Sequence, residues 1–214
     1  MEPGIDAGDF GAWLIQAREA LRGAGGNKVP CGDCTGCCTS SYSIEVRPTD
    51  AAALERIPVQ SLFRSLGSAA GNWTVRPNAD GACPMLSGGK CTIYAQRPQT
   101  CLDYDCRVFA AAGIAVGGAD KDVINRRVRQ WRFRFAAPQD RQAYAAIQAA
   151  AAFIRDARAQ FAPGTVPANP LGVAALALQV YPVFLPPGPT GGAVAIARSV
   201  VAARAAFDQR RGCV

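Results

Sequence analysis

The chain has 214 residues, of which 50% are apolar and 18% charged, which fits a globular protein and excludes a disordered one. Its 23 basic and 16 acidic residues give a formal charge of +7, and it carries nine cysteines and no histidine. The missing histidine excludes Cys–His and Ser–His nucleophilic pairs, zinc fingers built on two cysteines and two histidines, and histidine-bearing iron sites. Any general base must then be a carboxylate, a lysine, a tyrosine or a thiolate.

The amino terminus, "MEPGIDAGDF", has acids where a secretory signal carries basic residues before an apolar run. Residues 8–22 predict a helix, with Phe10, Trp13, Leu14, Ala17 and Leu21 on one face, and "GAGGN" ends it. "CGDCTGCC" follows, then "SYSIEV", whose alternating Tyr42, Ile44 and Val46 predict a short strand. Thr49 or Asp50 is expected to cap a helix running to about Ile57. Residues 60–82 read as irregular, with one strand at "NWTV". Gly88-Gly89 predicts a tight turn, so that "CPML" and "CTIY" form a hairpin bringing Cys83 and Cys91 together.

After about residue 118 cysteine gives way to Ala and Arg. "DKDVINRRVRQWRFRF" places Ile124, Val128, Trp131 and Phe135 on one helical face. Pro138 suits the first turn of a further helix reaching about Phe161, with Tyr144, Ile147, Ala151 and Ile154 inward. "APGTVPANP" is a loop. A short apolar helix, a Pro/Gly-rich loop and a last helix near residues 192–210 complete the pattern. The most apolar stretch, Leu171 to Leu185, is interrupted by Pro182, and a membrane helix needs roughly 20 apolar residues. The expectation is a soluble cytoplasmic protein with no membrane span.

Eight of the cysteines fall in two groups, C-x2-C-x2-C-C and C-x7-C-x9-C-x4-C, separated by 44 residues. In a reducing compartment, cysteines clustered in this way serve more often as metal ligands than as disulfides. C-x2-C turns aim two sulfurs at one point, and soft thiolates select zinc or iron–sulfur chemistry. Cys37 and Cys38 are adjacent. In an extended backbone their side chains diverge, which favours two sites or one polynuclear site over a single four-cysteine zinc site. An all-thiolate centre is anionic and wants cations and N–H donors around it; Arg47, Arg76, Lys90, Arg97 and Arg107 lie in this region.

"CGDCTGCC" followed by "CPML…GGKCTIYAQRPQTCLDYDC" resembles the bacterial cysteine-cluster (CxxCxxCC) family of zinc- or iron-chelating proteins over about residues 31–109. Over the same cluster it is similar to flagellin lysine N-methylases. The resemblance implies metal chelation through Cys31, Cys34, Cys37, Cys38, Cys83, Cys91, Cys101 and Cys106, by zinc, iron or an iron–sulfur cluster. It also implies packing roles for Ile93 and Tyr94 and a bracing role for Arg97. Leu102 departs from the family, which often has arginine there. Residues 110–214 lie outside the match.

Other signals are weaker. "GIAVGGAD" lacks the spacing and context of a nucleotide loop and reads as a linker. Residues 120–135 carry six basic residues and two acids; an amphipathic helix with a solvated arginine face explains them better than nucleic-acid binding. Asp33, Asp103 and Asp105 sit inside the ligand segments, where such carboxylates commonly cap turns. Cys213 reads as a free terminal thiol.

The expected fold is mainly α, with a small irregular α+β cysteine-rich metal-binding core and a helical C-terminal half. The expected organisation is an N-terminal helix in 1–30, a cysteine-cluster metal-binding region in 31–118, and an Ala/Arg-rich helical region in 119–214 packing on it. The expected partner is a metal ion, with room for a protein substrate or partner. Two further readings are an adenosylmethionine-dependent methylase-like enzyme and an adaptor built on structural zinc.

Overall fold

The computed structural model describes residues 4–23, 26–27, 29–64 and 69–209; Cys213 lies outside them. The fold is about half helical with small sheets, mainly α plus a little β. Two compact units interleave along the chain. The helical unit takes in residues 1–25, 106–117 and 128–214; the cysteine unit takes in 26–105 and 118–127.

The helical unit begins with strand β1 (Ile5–Asp9), which leads directly into α1 (Phe10–Leu21). The Asp9 carboxylate accepts the Ala12 N–H at 3.0 Å and so caps α1. Phe10, Trp13, Leu14 and Ala17 are buried on one face, as the spacing predicts. Short α4 (Arg107–Ala112) ends at Gly113, whose φ of +66° is the left-handed conformation that glycine takes most cheaply. α6 (Pro138–Asp156) has proline in its first turn, and the Asp140 carboxylate accepts the Ala137 N–H at 3.0 Å. Its buried face includes Ile147, Ala151 and Ile154. This helix stops at Asp156, short of the expected Phe161, and a 3-10 turn, Arg158–Gln160, follows. α7 (Pro170–Val180) is capped by the Asn169 side chain, which accepts the Gly172 N–H at 2.8 Å, and α8 (Ala193–Gln209) closes the described chain.

A larger departure from the sequence reading lies at residues 131–134. Trp131–Arg134 is not helical; it forms strand β7, parallel to β1, with Ile5 opposite Trp131 and Asp9 opposite Arg134. The helix before it, α5 (Asp122–Gln130), therefore ends earlier than the sequence pattern suggests. The reason is local chemistry. Trp131, Phe133 and Phe135 alternate with arginines, and alternation sends the rings to one side of a strand. Phe133 and Phe135 pack with Phe10 and Tyr144, at ring-centroid distances of 5.3–5.5 Å for Phe10–Phe133, Phe10–Phe135 and Phe135–Tyr144.

The cysteine unit is built on much less regular structure. Strands β2 (Ile44–Val46), β3 (Leu62–Phe63) and β4 (Trp73–Val75) form an antiparallel sheet in the order β2-β4-β3. "NWTV" is thus the central strand, and the β3 segment was not foreseen. α2 (Ala51–Leu54) is shorter than the expected helix to Ile57. Asp50 precedes it but makes no side-chain cap bond to the helix. Its carboxylate instead accepts the N–H groups of Arg47 at 2.8 Å and Gln99 at 3.0 Å. The hairpin forms as predicted: β5 (Leu86–Ser87) and β6 (Lys90–Cys91) pair through Gly88 and Gly89, with φ of +55° and +72°. Two successive positive φ values are what a two-residue type I′ turn needs. Val46, Ala53, Ile57, Val75, Met85 and Ile93 make a small buried core, and Cys83 and Cys91 pack against it.

No helix among the described residues is long and apolar enough to cross a membrane.

Candidate metal centre

Seven of the eight cysteines predicted as ligands, Cys31 to Cys101, fall in the cysteine unit. The first four lie on a tight loop. Gly32, with φ of +56°, turns the chain so that the Cys34 N–H donates to the Cys31 carbonyl at 3.1 Å. The Gly36 N–H then donates to the Cys34 sulfur at 3.4 Å. An N–H aimed at sulfur stabilises thiolate over thiol and is the kind of support an all-thiolate centre needs. Gly36 is buried, and a Cβ there would press on Ile124 at 3.1 Å and on the Cys34 sulfur at 3.4 Å.

The doublet departs from its sequence reading. Cys37 and Cys38 lie in a 3-10 turn, Gly36–Thr39, and not in extended backbone. The extended backbone from which divergence was expected is therefore absent, and the two thiols act on each other, Cys38 raised and Cys37 lowered. The argument that strand geometry sends the two sulfurs to opposite sides fails here.

Backbone bonds tie the second cysteine group to the first. The Cys83 N–H donates to the Cys38 carbonyl at 2.7 Å, and the Ser41 N–H donates to the Gly81 carbonyl at 2.9 Å. Cys91 ends the β5–β6 hairpin, opposite Leu86. Cys101 sits in α3 (Gln99–Asp103), which is fastened to the sheet where the Thr100 hydroxyl donates to the Glu45 carbonyl at 2.7 Å. Asn27 anchors the far end of α3: its N–H donates to the Leu102 carbonyl and its side-chain amide to the Asp103 carbonyl, both at 2.8 Å.

The thiols respond to this crowding. Burial, with Cys37, Cys34 and Asp105 nearby, pushes the Cys31 thiol up to about 11, while Arg127 opposes. Burial, with Cys37, Cys83 and Cys91 nearby, pushes Cys101 up to about 12. Cys83 is raised by burial and by the charges of Cys91 and Cys37, against a lowering backbone hydrogen bond at Met85. Cys38 is raised because it is the donor to Cys37. Cys37 goes the other way, down to about 7, because it receives the Cys38 thiol, backbone N–H groups and the field of Arg97. It is also exposed, whereas the other seven cysteines among the described residues are half-buried or buried.

Cys106 stands apart from these seven in the chain's division, since it opens α4 of the helical unit. It is buried, and the Trp131 indole N–H donates to its sulfur at 3.2 Å. Among the described residues no three Cys, Asp or Glu side chains are arranged so that they could hold a metal ion as they stand. The donor set itself suits a soft metal: seven thiols in one unit, of which Cys34, Cys37 and Cys83 already face backbone N–H groups.

The residues around the thiols divide by role. Ile93 is buried in the small core, as expected, but Tyr94 is 58% exposed and does not pack inward. Arg97 stacks over the Tyr94 ring at 3.9 Å and donates to the Tyr94 carbonyl at 3.0 Å. Asp103 accepts from the Gln99 side chain at 2.7 Å, a turn-bracing role, and Asp105 is buried. Sequence reasoning did not find Lys121. Its ammonium donates to the Ser40 carbonyl and lies 4.5 Å from the centre of the Tyr42 ring, pinning the chain just past the doublet. No local pattern signals a contact across 81 residues. The only hint was Ser40 and Tyr42 beside a cysteine-dense loop, next to which a cation is useful.

No curated protein and no solved structure matches the chain, and no match is to a flagellin lysine N-methylase. Residues 30–122, less than half of the chain, match the CxxCxxCC family model, described as a "putative zinc- or iron-chelating domain".

Proposed function

We propose that the cysteine unit chelates zinc or iron, the latter as single ions or as an iron–sulfur cluster, through the thiolates of Cys31, Cys34, Cys37, Cys38, Cys83, Cys91 and Cys101. The observation that carries this reading is the gathering of these seven cysteines from two distant chain segments into one compact unit, where their charges act on one another. A hydrophobic core alone would not need them there. The family match to residues 30–122 supports the same chemistry.

Bound metal would replace thiol protons as the counter-charge and draw the sulfurs together in a tetrahedral shell. The chain's own contributions are distinct. Gly32 and Gly36 let the first loop turn tightly, and the Gly36 N–H orients the Cys34 sulfur. The β5–β6 hairpin sets the spacing of Cys83 and Cys91, while Thr100 fixes the helix that carries Cys101. Arg97 and Arg127 offset the negative charge of the thiolates. Thiols kept free for this purpose belong in a reducing compartment.

The test is anaerobic purification followed by metal and sulfide analysis and a visible spectrum. Stoichiometric zinc in a colourless protein, or iron with matching colour, is the expected result. A fully reduced, folded protein that takes up neither metal would overturn the reading.

A further inference from the structure

We propose that the ligands divide at the doublet: Cys38, Cys83, Cys91 and Cys101 supply one complete four-thiolate site, and the Cys31–Cys34–Cys37 loop supplies a second, separate centre. This rests on the chelating reading above and adds to it the number of centres and their membership.

The backbone carries the first set. The Cys83 N–H bonds the Cys38 carbonyl at 2.7 Å, so these two residues are directly fastened. The Leu86 N–H donates to the Cys83 carbonyl at 2.9 Å, and Leu86 pairs with Cys91 across the hairpin. Cys83 and Cys91 pack on the same buried cluster as Val46, which ends β2. Cys101 is brought to β2 by the Thr100 hydroxyl on the Glu45 carbonyl. Each of these four cysteines is therefore joined to the β2–β4 sheet and its core by a short chain of bonds.

The second set is organised on itself. Its loop closes through the Cys34 N–H on the Cys31 carbonyl and the Gly36 N–H on the Cys34 sulfur. Gly36 leans on Ile124, from the 118–127 segment, and not on the sheet core. Apart from Cys37, whose charge reaches Cys31, Cys38, Cys83 and Cys101 alike, the charged neighbours follow the same division: Cys31 has Cys34, Asp105 and Arg127, whereas Cys38 and Cys101 have Cys83 and Cys91. Cys37 stands at the seam, next to Cys38 and acting on members of both sets, which suits it to bridge two metals.

The experiment titrates the full, reduced chain anaerobically with Co²⁺ and follows thiolate charge-transfer and ligand-field absorption together with metal count. Wild type should take up two equivalents. The Cys31→Ser/Cys34→Ser protein should keep one equivalent with a tetrahedral thiolate spectrum, and the Cys91→Ser/Cys101→Ser protein should lose that spectrum. Where a double variant does not fold, by circular dichroism, Cys34→Ser and Cys101→Ser alone are compared in the same way. Loss of all metal on changing the first loop, or a wild-type count of one, would overturn the division while leaving chelation intact. No Co²⁺ uptake by wild type would overturn both.

Discussion

In the helical unit, Ile147, Ala150, Ala151, Ile154, Leu178 and Val180 are wholly removed from solvent, and α6 and α8 each run more than four turns. In the cysteine unit the apolar cluster on the sheet has six buried residues, no strand among the described residues exceeds three residues, and the helices α2 and α3 have four and five. The first region is held by side-chain burial at roughly 25 cal/mol per Å² of apolar surface. The second lacks the area for that. Units with so small a core generally depend on a staple, whether disulfide or metal. The difference teaches that the cysteines are, on this view, the structural substitute for a core and not an addition to one.

Metal removal breaks the comparison most severely. Treatment with a strong chelator should abolish amide-exchange protection in β2, β4 and the β5–β6 hairpin while α6 and α7 stay protected. Zinc binding contributes about 10–16 kcal/mol to the folding of small zinc-finger peptides, so the effect on a unit with a six-residue apolar cluster should be all or none. Exchange that is unchanged in the cysteine unit after complete metal loss would show that its few apolar contacts suffice.

A core substitution in the other region should do the converse. Ile147 is fully buried, and Ile147→Ala removes three heavy atoms and leaves a cavity, at a cost of about 2–5 kcal/mol. Denaturant midpoints followed by helical circular dichroism should fall accordingly, with the metal count per chain unchanged. If metal content fell in proportion to helical stability, the two regions would not be held independently.

The two regions were also unequally legible. Long helices announce themselves: the 3.6-residue recurrence of Ile147, Ala151 and Ile154 and the Pro138 start were enough to place α6. The Gly88-Gly89 turn carried the hairpin in the same way, since only a special backbone conformation asks for that pair. What failed was short and non-local. Trp131 and Phe135 satisfy a helical step as well as a strand alternation, and only pairing with Ile5–Asp9, far back in the chain, decides between them. β3 has two residues and no pattern of its own. The ligand candidates were visible from spacing alone, but the conformation of the doublet was not. The 3-10 turn around Cys37 and Cys38 is set by the Ser40 hydroxyl on the Gly36 carbonyl and by Lys121 on the Ser40 carbonyl. Neither contact has a sequence signature.

The smallest effect separates two cysteines, one from each region. Cys106 is buried beneath the Trp131 indole, whereas Cys37 is exposed and has its thiol pulled down to about 7 by the Cys38 donor, backbone N–H groups and Arg97. Because the folded value lies below the ordinary thiol value of 9.0, the linked stabilisation is complete above that pH and disappears as the pH falls through about 7. In metal-free protein, iodoacetamide should therefore label Cys37 first, and its rate should rise about ten-fold between pH 6 and pH 8, as the thiolate fraction does. Cys106 should stay unlabelled over the same range, read by peptide mass spectrometry. Substituting Arg97→Gln should shift the Cys37 profile to higher pH without exposing Cys106. If Cys37 and Cys106 instead reacted alike, the contrast between a thiol presented at the surface and one built into a packed helix would not hold. Added zinc should then protect Cys37, since the thiolate that attacks the reagent is the same electron pair that would bind the metal.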